Sequence, residues 1–240
     1  MASTRGTFRD DLQGHADARH IRHVPGSAFE SCERALGSPT LRLGAFRLCH
    51  DRTVREIIRQ LVDEIVPADP TESEHRLDVL RWLDSTAEIF RTAKPATPPK
   101  HLVSYCVLVD TTKRNVFLVN HRDAQRWLPT GGHVEVDEHP IDAATREILE
   151  ELRVAPDFHP SVGPKPLMVT VTRTQGVSEP HTDVSLWFAF DGSREHVLAP
   201  DETEFVDARW WSFDDVPETE HSSFDPHLPR FISKLQACVA

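Results

Sequence analysis

Three glutamates crowded into one short stretch, Glu147, Glu150 and Glu151, are the side chains of this chain best suited to chemistry. In a helix turning about 100° per residue they fall at roughly 0°, −60° and +40°, inside one arc. Carboxylates so placed repel one another unless a cation joins them. Oxygen-only ligands suit a hard ion such as Mg²⁺, which accepts a few carboxylates and keeps waters for substrate phosphates. Arg146 stands four residues before Glu150, within reach of it along the helix surface. A solvated acidic face is the plain alternative, because runs of surface charge are common.

The wider spacing weakens that alternative. Gly132 is followed after five residues by Glu138, and after seven more by Arg146-Glu147-Ile148; one residue later come Glu150-Glu151, then Leu152, Arg153 and Val154. This resembles the signature of the Nudix hydrolases, Gly-x5-Glu-x7-Arg-Glu-U-x-Glu-Glu-x-Gly-U with U bulky and apolar, at eight of nine specified positions. A chance match in such a chain is on the order of one in a million from average residue frequencies. Arg153 stands where the pattern has Gly, just past the helix, where a left-handed residue ends it easily. The lead-in Trp127-Leu128-Pro129-Thr130-Gly131-Gly132-His133-Val134-Glu135 and the later stretch from Glu204 to Trp210-Trp211-Ser212-Phe213 extend the likeness over residues 101–217.

The resemblance implies an α/β fold, an α/β/α sandwich with a mixed sheet, and hydrolysis of a nucleoside diphosphate linked to another group. It implies Glu147 and Glu151 as the main Mg²⁺ ligands (Mn²⁺ as a substitute), with Glu150 close by, Glu138 in support and the Gly131 carbonyl also on the metal. Arg146 would orient the carboxylates, and Glu150 or Glu204 would be the general base. Two other functions stay open on the same fold. One is a non-catalytic ligand sensor. The other, isopentenyl diphosphate isomerisation, needs a cysteine near the metal, for which Cys106 is poorly placed.

Candidate substrate contacts are His133, Trp127, His181 and Asp183. His181 and Asp183 alternate on one face of a strand, where they could touch substrate or a second metal; surface alternation is the ordinary explanation. Trp127, Trp187, Trp210 and Trp211 could stack on a base, but strand aromatics are more often core. There is no GxxxxGK[ST], GxSxG, HExxH or GxGxxG motif.

The elements that must position these residues follow from patterning. Val54, Ile57, Ile58, Leu61 and Ile65 predict a helix ending near Pro67, and Leu77, Leu80, Leu83 and Ile89 a second, capped by Thr71 or Ser73. Pro95, Pro98 and Pro99 mark a boundary. Strands are expected at 102–109, 115–119, 133–136, 167–174, 184–190 and 208–212, with helices at 140–152 and 225–237. Residues 1–45 read as irregular or partly disordered, apart from a short strand at Leu41–Leu43; 50–94 form a helical extension and 100–240 the catalytic domain. The chain of 240 residues carries 27 Lys+Arg against 38 Asp+Glu, a formal charge of −11. The first hundred residues balance at 15 each, so the excess lies wholly in the second part, with 12 basic and 23 acidic side chains. That surface repels nucleic-acid backbones but tolerates phosphates joined through a divalent ion. The expected partner is a small nucleotide or diphosphate, with no nucleic acid and no membrane; a homodimer is compatible. Four scattered cysteines and no apolar leader suggest the cytoplasm.

Overall fold

Alternation along one strand organises the molecule. In the computed structural model, which describes residues 53–94, 96–174, 180–217 and 223–239, strand β1 (Lys100–Asp110) is buried along almost its whole length. Leu102, Cys106 and Leu108 enter one apolar core and Val107 and Val109 the other, as a period of two requires of a strand covered on both faces. The expectations for residues 1–45 lie outside the described residues.

Strands β2 (Asn115–His121), β3 (Arg126–Leu128), β4 (Thr130–His133), β5 (Met168–Arg173), β6 (Thr182–Asp191) and β7 (Phe205–Ser212) complete a seven-stranded sheet with the path β3-β2-β1-β6-β5. β4 pairs with β1, and β7 with β2. β1 and β6 are parallel, with His101 opposite Asp183, while β1–β2, β1–β4 and β5–β6 are antiparallel, so the sheet is mixed. Helices α1 (Val54–Asp63), α2 (Pro70–Ser85) and α3 (Pro140–Leu152) contribute to the first core and α4 (Leu228–Val239) to the second. The architecture is the expected α/β/α sandwich. No helix among the described residues is long and apolar enough to cross a membrane.

Several local expectations change. The α2 cap is Asp69, whose side chain accepts the Glu72 N–H at 2.8 Å, rather than Thr71 or Ser73. Pro70 explains the shift: it has no N–H to satisfy and fits the first helical position. Leu77 is half exposed and Val79 takes the buried position, while Ile89 is buried beyond the helix end. The strand expected at 133–136 lies earlier, at 130–133, because Gly131 and Gly132 pair with Tyr105 and Ser104. α3 alone has the bounds that its periodicity predicts, and α4 starts three residues later than expected.

Two ion pairs clamp α2 to α4. Arg230 grips Asp69 with both Nε and Nη2, at 2.8 and 2.7 Å. Lys234 Nζ meets Glu72 Oε1 at 2.5 Å, and Glu72 is fully buried. Removing one partner of a buried pair leaves an uncompensated charge. Lys234→Met should therefore lower unfolding stability by about 3–5 kcal/mol, and adding Glu72→Gln should recover most of it, as read by urea denaturation. Asp225, 5% exposed before α4, is pushed up to about 6 by burial, although it accepts the His227 N–H. A raised carboxyl pKa means that the fold holds a proton which the unfolded chain releases first. Its contribution thus declines as pH rises from the ordinary carboxylate value to about 6. The wild-type stability curve should show this decline, and Asp225→Asn should remove it.

Candidate active site

α3 is seated by its backbone as well as by its apolar face. Ser104 Oγ donates to the Pro140 carbonyl and Cys106 Sγ to the Ala144 carbonyl, both at 2.9 Å. Ala143, Ala144, Ile148 and Leu152 are fully buried beneath it. The helix starts on His139, whose ring accepts the Ile141 N–H, and ends on Arg153 in the left-handed conformation at φ 58°. Arg153 thus adopts the backbone that the signature reserves for Gly. Beyond it, Asp201 N–H donates to the Glu151 carbonyl and Ala199 N–H to the Leu152 carbonyl, satisfying the helix end.

One guanidinium organises the acidic face. Arg146 Nε and Nη2 hold the two Glu138 oxygens at 2.8 and 2.9 Å. Its Nη1 reaches Glu147 at 2.8 Å and Glu150 at 3.4 Å, and Nη2 also donates to the His133 carbonyl at 3.2 Å. Glu151 is 6% exposed, and its Oε2 accepts the Gly131 N–H at 2.9 Å. Burial pushes Glu151 up to about 9 despite that hydrogen bond, with the fields of Glu147, Glu204 and Glu150 adding to the effect. Burial also raises Glu147, against the pull of Arg146. Glu138 goes the other way: its burial is outweighed by Arg146 and the Glu135 N–H. Glu147 shares one guanidinium with two other carboxylates, and Glu151 has a backbone N–H but no ion pair among the described residues, so positive charge is short there. That deficit fits a divalent cation held by these two carboxylates.

The two glycines have different reasons. Gly131 has φ 141°, and a Cβ there would lie 2.2 Å from the Ser104 carbonyl oxygen. At Gly132 a Cβ would lie 2.3 Å from Glu147 Oε1. The first contact is with rigid backbone and the second with a mobile side-chain tip.

Other expected residues scatter. Glu204 is exposed in the loop that caps α3, and its charge is felt at Glu147 and Glu151. Trp127 is 9% exposed in the second core, edge-to-face with Trp211 and with the Arg209 guanidinium 4.9 Å over its ring. Trp187 is fully buried. His133, His181 and Asp183 gather at one end of the sheet with His101, which the sequence reading missed. Burial, with Arg91 adding, pulls His133 down to about 3; Asp183 stands at about 2, its burial outweighed by His101 and His181. No local motif marks His101. Only the β1–β6 register brings it opposite Asp183.

A NUDIX domain family model matches residues 99–232, more than half of the chain. The chain belongs to the NUDIX family. A Danio rerio protein described as m7GpppN-mRNA hydrolase NUDT17 is 39% identical over 62 residues, covering 23% of this chain and 21% of that protein. The matched Nudix stretch thus spans about a fifth of that relative's length. A NUDIX-family hydrolase from Clostridium perfringens is 22% identical with a TM-score of 0.43, covering 56% of this chain and 97% of that one. A Caenorhabditis elegans Ap4A hydrolase in a binary complex is 14% identical with a TM-score of 0.42, covering 57% of this chain and 96% of that one.

In this Nudix domain the glycine geometry separates fold from site. Gly131→Ala should fail to fold stably, because its Cβ meets backbone at a positive φ. Gly132→Ala should fold but push Glu147 aside, weakening Mn²⁺ binding by about 10–100-fold. Circular dichroism and the paramagnetic relaxation of water by Mn²⁺ report the two outcomes separately.

Proposed function

We propose that this Nudix hydrolase cleaves a phosphoanhydride bond in a nucleoside diphosphate linked to another group, using Mg²⁺ with Mn²⁺ as a substitute. The observation that carries the reading is Glu151: a buried carboxylate beside Glu147, with one guanidinium shared among Glu138, Glu147 and Glu150. Glu147 and Glu151 would hold the ion, with Glu150 and the Gly131 carbonyl at its margin. Bound there, a divalent ion supplies charge neutralisation of the phosphate oxygens and a more acidic water.

The chain's own residues then divide the work. Arg146 positions Glu147 while keeping Glu138 charged and anchored to the turn before α3, through the Glu135 N–H. Glu150, with 59% of its side chain exposed and only a 3.4 Å contact to Arg146, and the exposed Glu204 are the carboxylates placed to take a proton from an attacking water. Both can release that proton to solvent after each turnover. We take residues 100–240 as the catalytic unit and the cytoplasm as its compartment.

The similarity to a protein described as m7GpppN-mRNA hydrolase favours a more specific substrate, a capped 5′ end. The acidic second part of the chain argues against a long RNA backbone, so a cap dinucleotide is the form to try first. Purified protein with Mg²⁺ should be tested on nucleoside triphosphates, dinucleoside polyphosphates, nucleotide sugars, ADP-ribose and m7GpppN. One of these should be cleaved at a phosphoanhydride. Glu147→Gln and Glu151→Gln should each lower the rate by roughly 100-fold or more, since the ion's charge stabilisation amounts to several kcal/mol. Variants that fold and keep the wild-type rate would overturn the metal assignment.

A further inference from the structure

We propose that His101, His133, His181 and Asp183 form a second metal site, for a borderline transition ion of the Zn²⁺ class, separate from the glutamates. One ligand atom from each lies within 4.8 Å of the others. Nε2 of His101 and Nε2 of His181 each stand 3.3 Å from Asp183 Oδ1. An ion bound at about 2.0–2.1 Å in a tetrahedron has ligand–ligand edges of roughly 3.3–3.4 Å, so two edges already match.

Hydrogen bonding fixes what these atoms present. His101 Nδ1 lies 2.8 Å from the Pro98 carbonyl, which can only accept, so Nδ1 carries a proton and in the neutral ring the lone pair sits on Nε2. The Thr174 hydroxyl donates to the His181 carbonyl, leaving its oxygen to accept from His181 Nδ1 at 3.2 Å. His101 Nε2, His133 Nε2 and Asp183 Oδ1 are buried without a hydrogen-bond partner. With Nδ1 protonated, each Nε2 can meet Asp183 Oδ1 at 3.3 Å in two ways: with a second proton, as an imidazolium donor to the carboxylate, or with a cation between them. An outer carbonyl or hydroxyl holding Nδ1 while Nε2 points inward is how metal-binding imidazoles are oriented. Three nitrogens and one carboxylate suit Zn²⁺, Co²⁺ or Fe²⁺ far better than Mg²⁺.

The two sites lie on opposite faces of the sheet. His101 and its register partner Asp183 follow the alternation of Val107 and Val109, away from α3. His133 pairs with Val103 on the same side, while the preceding residue, Gly132, faces Glu147. An ion here would pin β1, β4 and β6 together. Through β4 it would also steady the His133 carbonyl that Arg146 grips and the Gly131 N–H that Glu151 accepts.

The full chain, stripped with EDTA and returned to buffer with excess Mg²⁺, should be titrated with Co²⁺ and watched by visible absorption. One equivalent should give d–d bands of an imidazole-rich site, and Zn²⁺ should displace it and abolish them. The Glu147→Gln/Glu151→Gln double variant should bind Co²⁺ unchanged. His101→Ala and the half-buried His133→Ala, with folding checked by circular dichroism, should bind at least about 10–100-fold more weakly. Using two sites of different burial guards against a variant that fails to fold. Absence of bands under excess Mg²⁺ would overturn the proposal. So would bands that survive in a folded His133→Ala protein or vanish in the glutamate variant.

Discussion

Too little positive charge around α3 is the constraint on which the site depends. A helix buried on one side brings four glutamates to its rim or to the loop before it, and a single guanidinium serves three of them. Arg146 is best matched to Glu138, through two short and parallel contacts, so its charge lies toward the start of the helix. Glu151, one turn beyond Glu147, is left with a backbone N–H and a buried position. A carboxylate there either keeps its proton or meets a cation. Everything around it serves to hold it there: β1 hydroxyl and thiol on the α3 carbonyls, two glycines that let β4 approach, and a loop that closes the helix end.

The strand β4 joins that constraint to the rest of the molecule. It is four residues long, yet it touches three things at once. Its Gly131 N–H meets Glu151, its Gly132 makes space for Glu147, and its His133 turns to the far face of the sheet. A short strand with alternating faces is an economical link between two chemistries, since whatever fixes one face fixes the other. The β1–β6 pairing supplies the wall behind it, buried on both sides and rich in branched and aromatic residues.

What could be read from the sequence depended on whether the determinant was local. α3, its glutamates and Arg146 lie within a few turns of one another, so helical periodicity and spacing sufficed to give its bounds and its acidic arc. Arg153 at the helix end was legible as a departure, and the chain resolves it with a left-handed backbone rather than a different ending. Capping of α2 was misread because Thr71 and Ser73 are good caps in isolation; Asp69 wins by also meeting Arg230, some 161 positions away. Strand β3 and the early position of β4 were set by pairing with β2 and β1, which no window of a few residues contains. His101 was invisible for the same reason. It is an ordinary histidine at a strand start until a parallel register places it against Asp183.

The most direct test of the charge deficit is to locate the ion itself. Crystals of the protein grown or soaked with Mn²⁺ should show an anomalous peak between the carboxylates of Glu147 and Glu151, with Arg146 still clasping Glu138. A peak elsewhere, or none while Glu147 stays on Arg146 and Glu151 on the Gly131 N–H, would contradict the account.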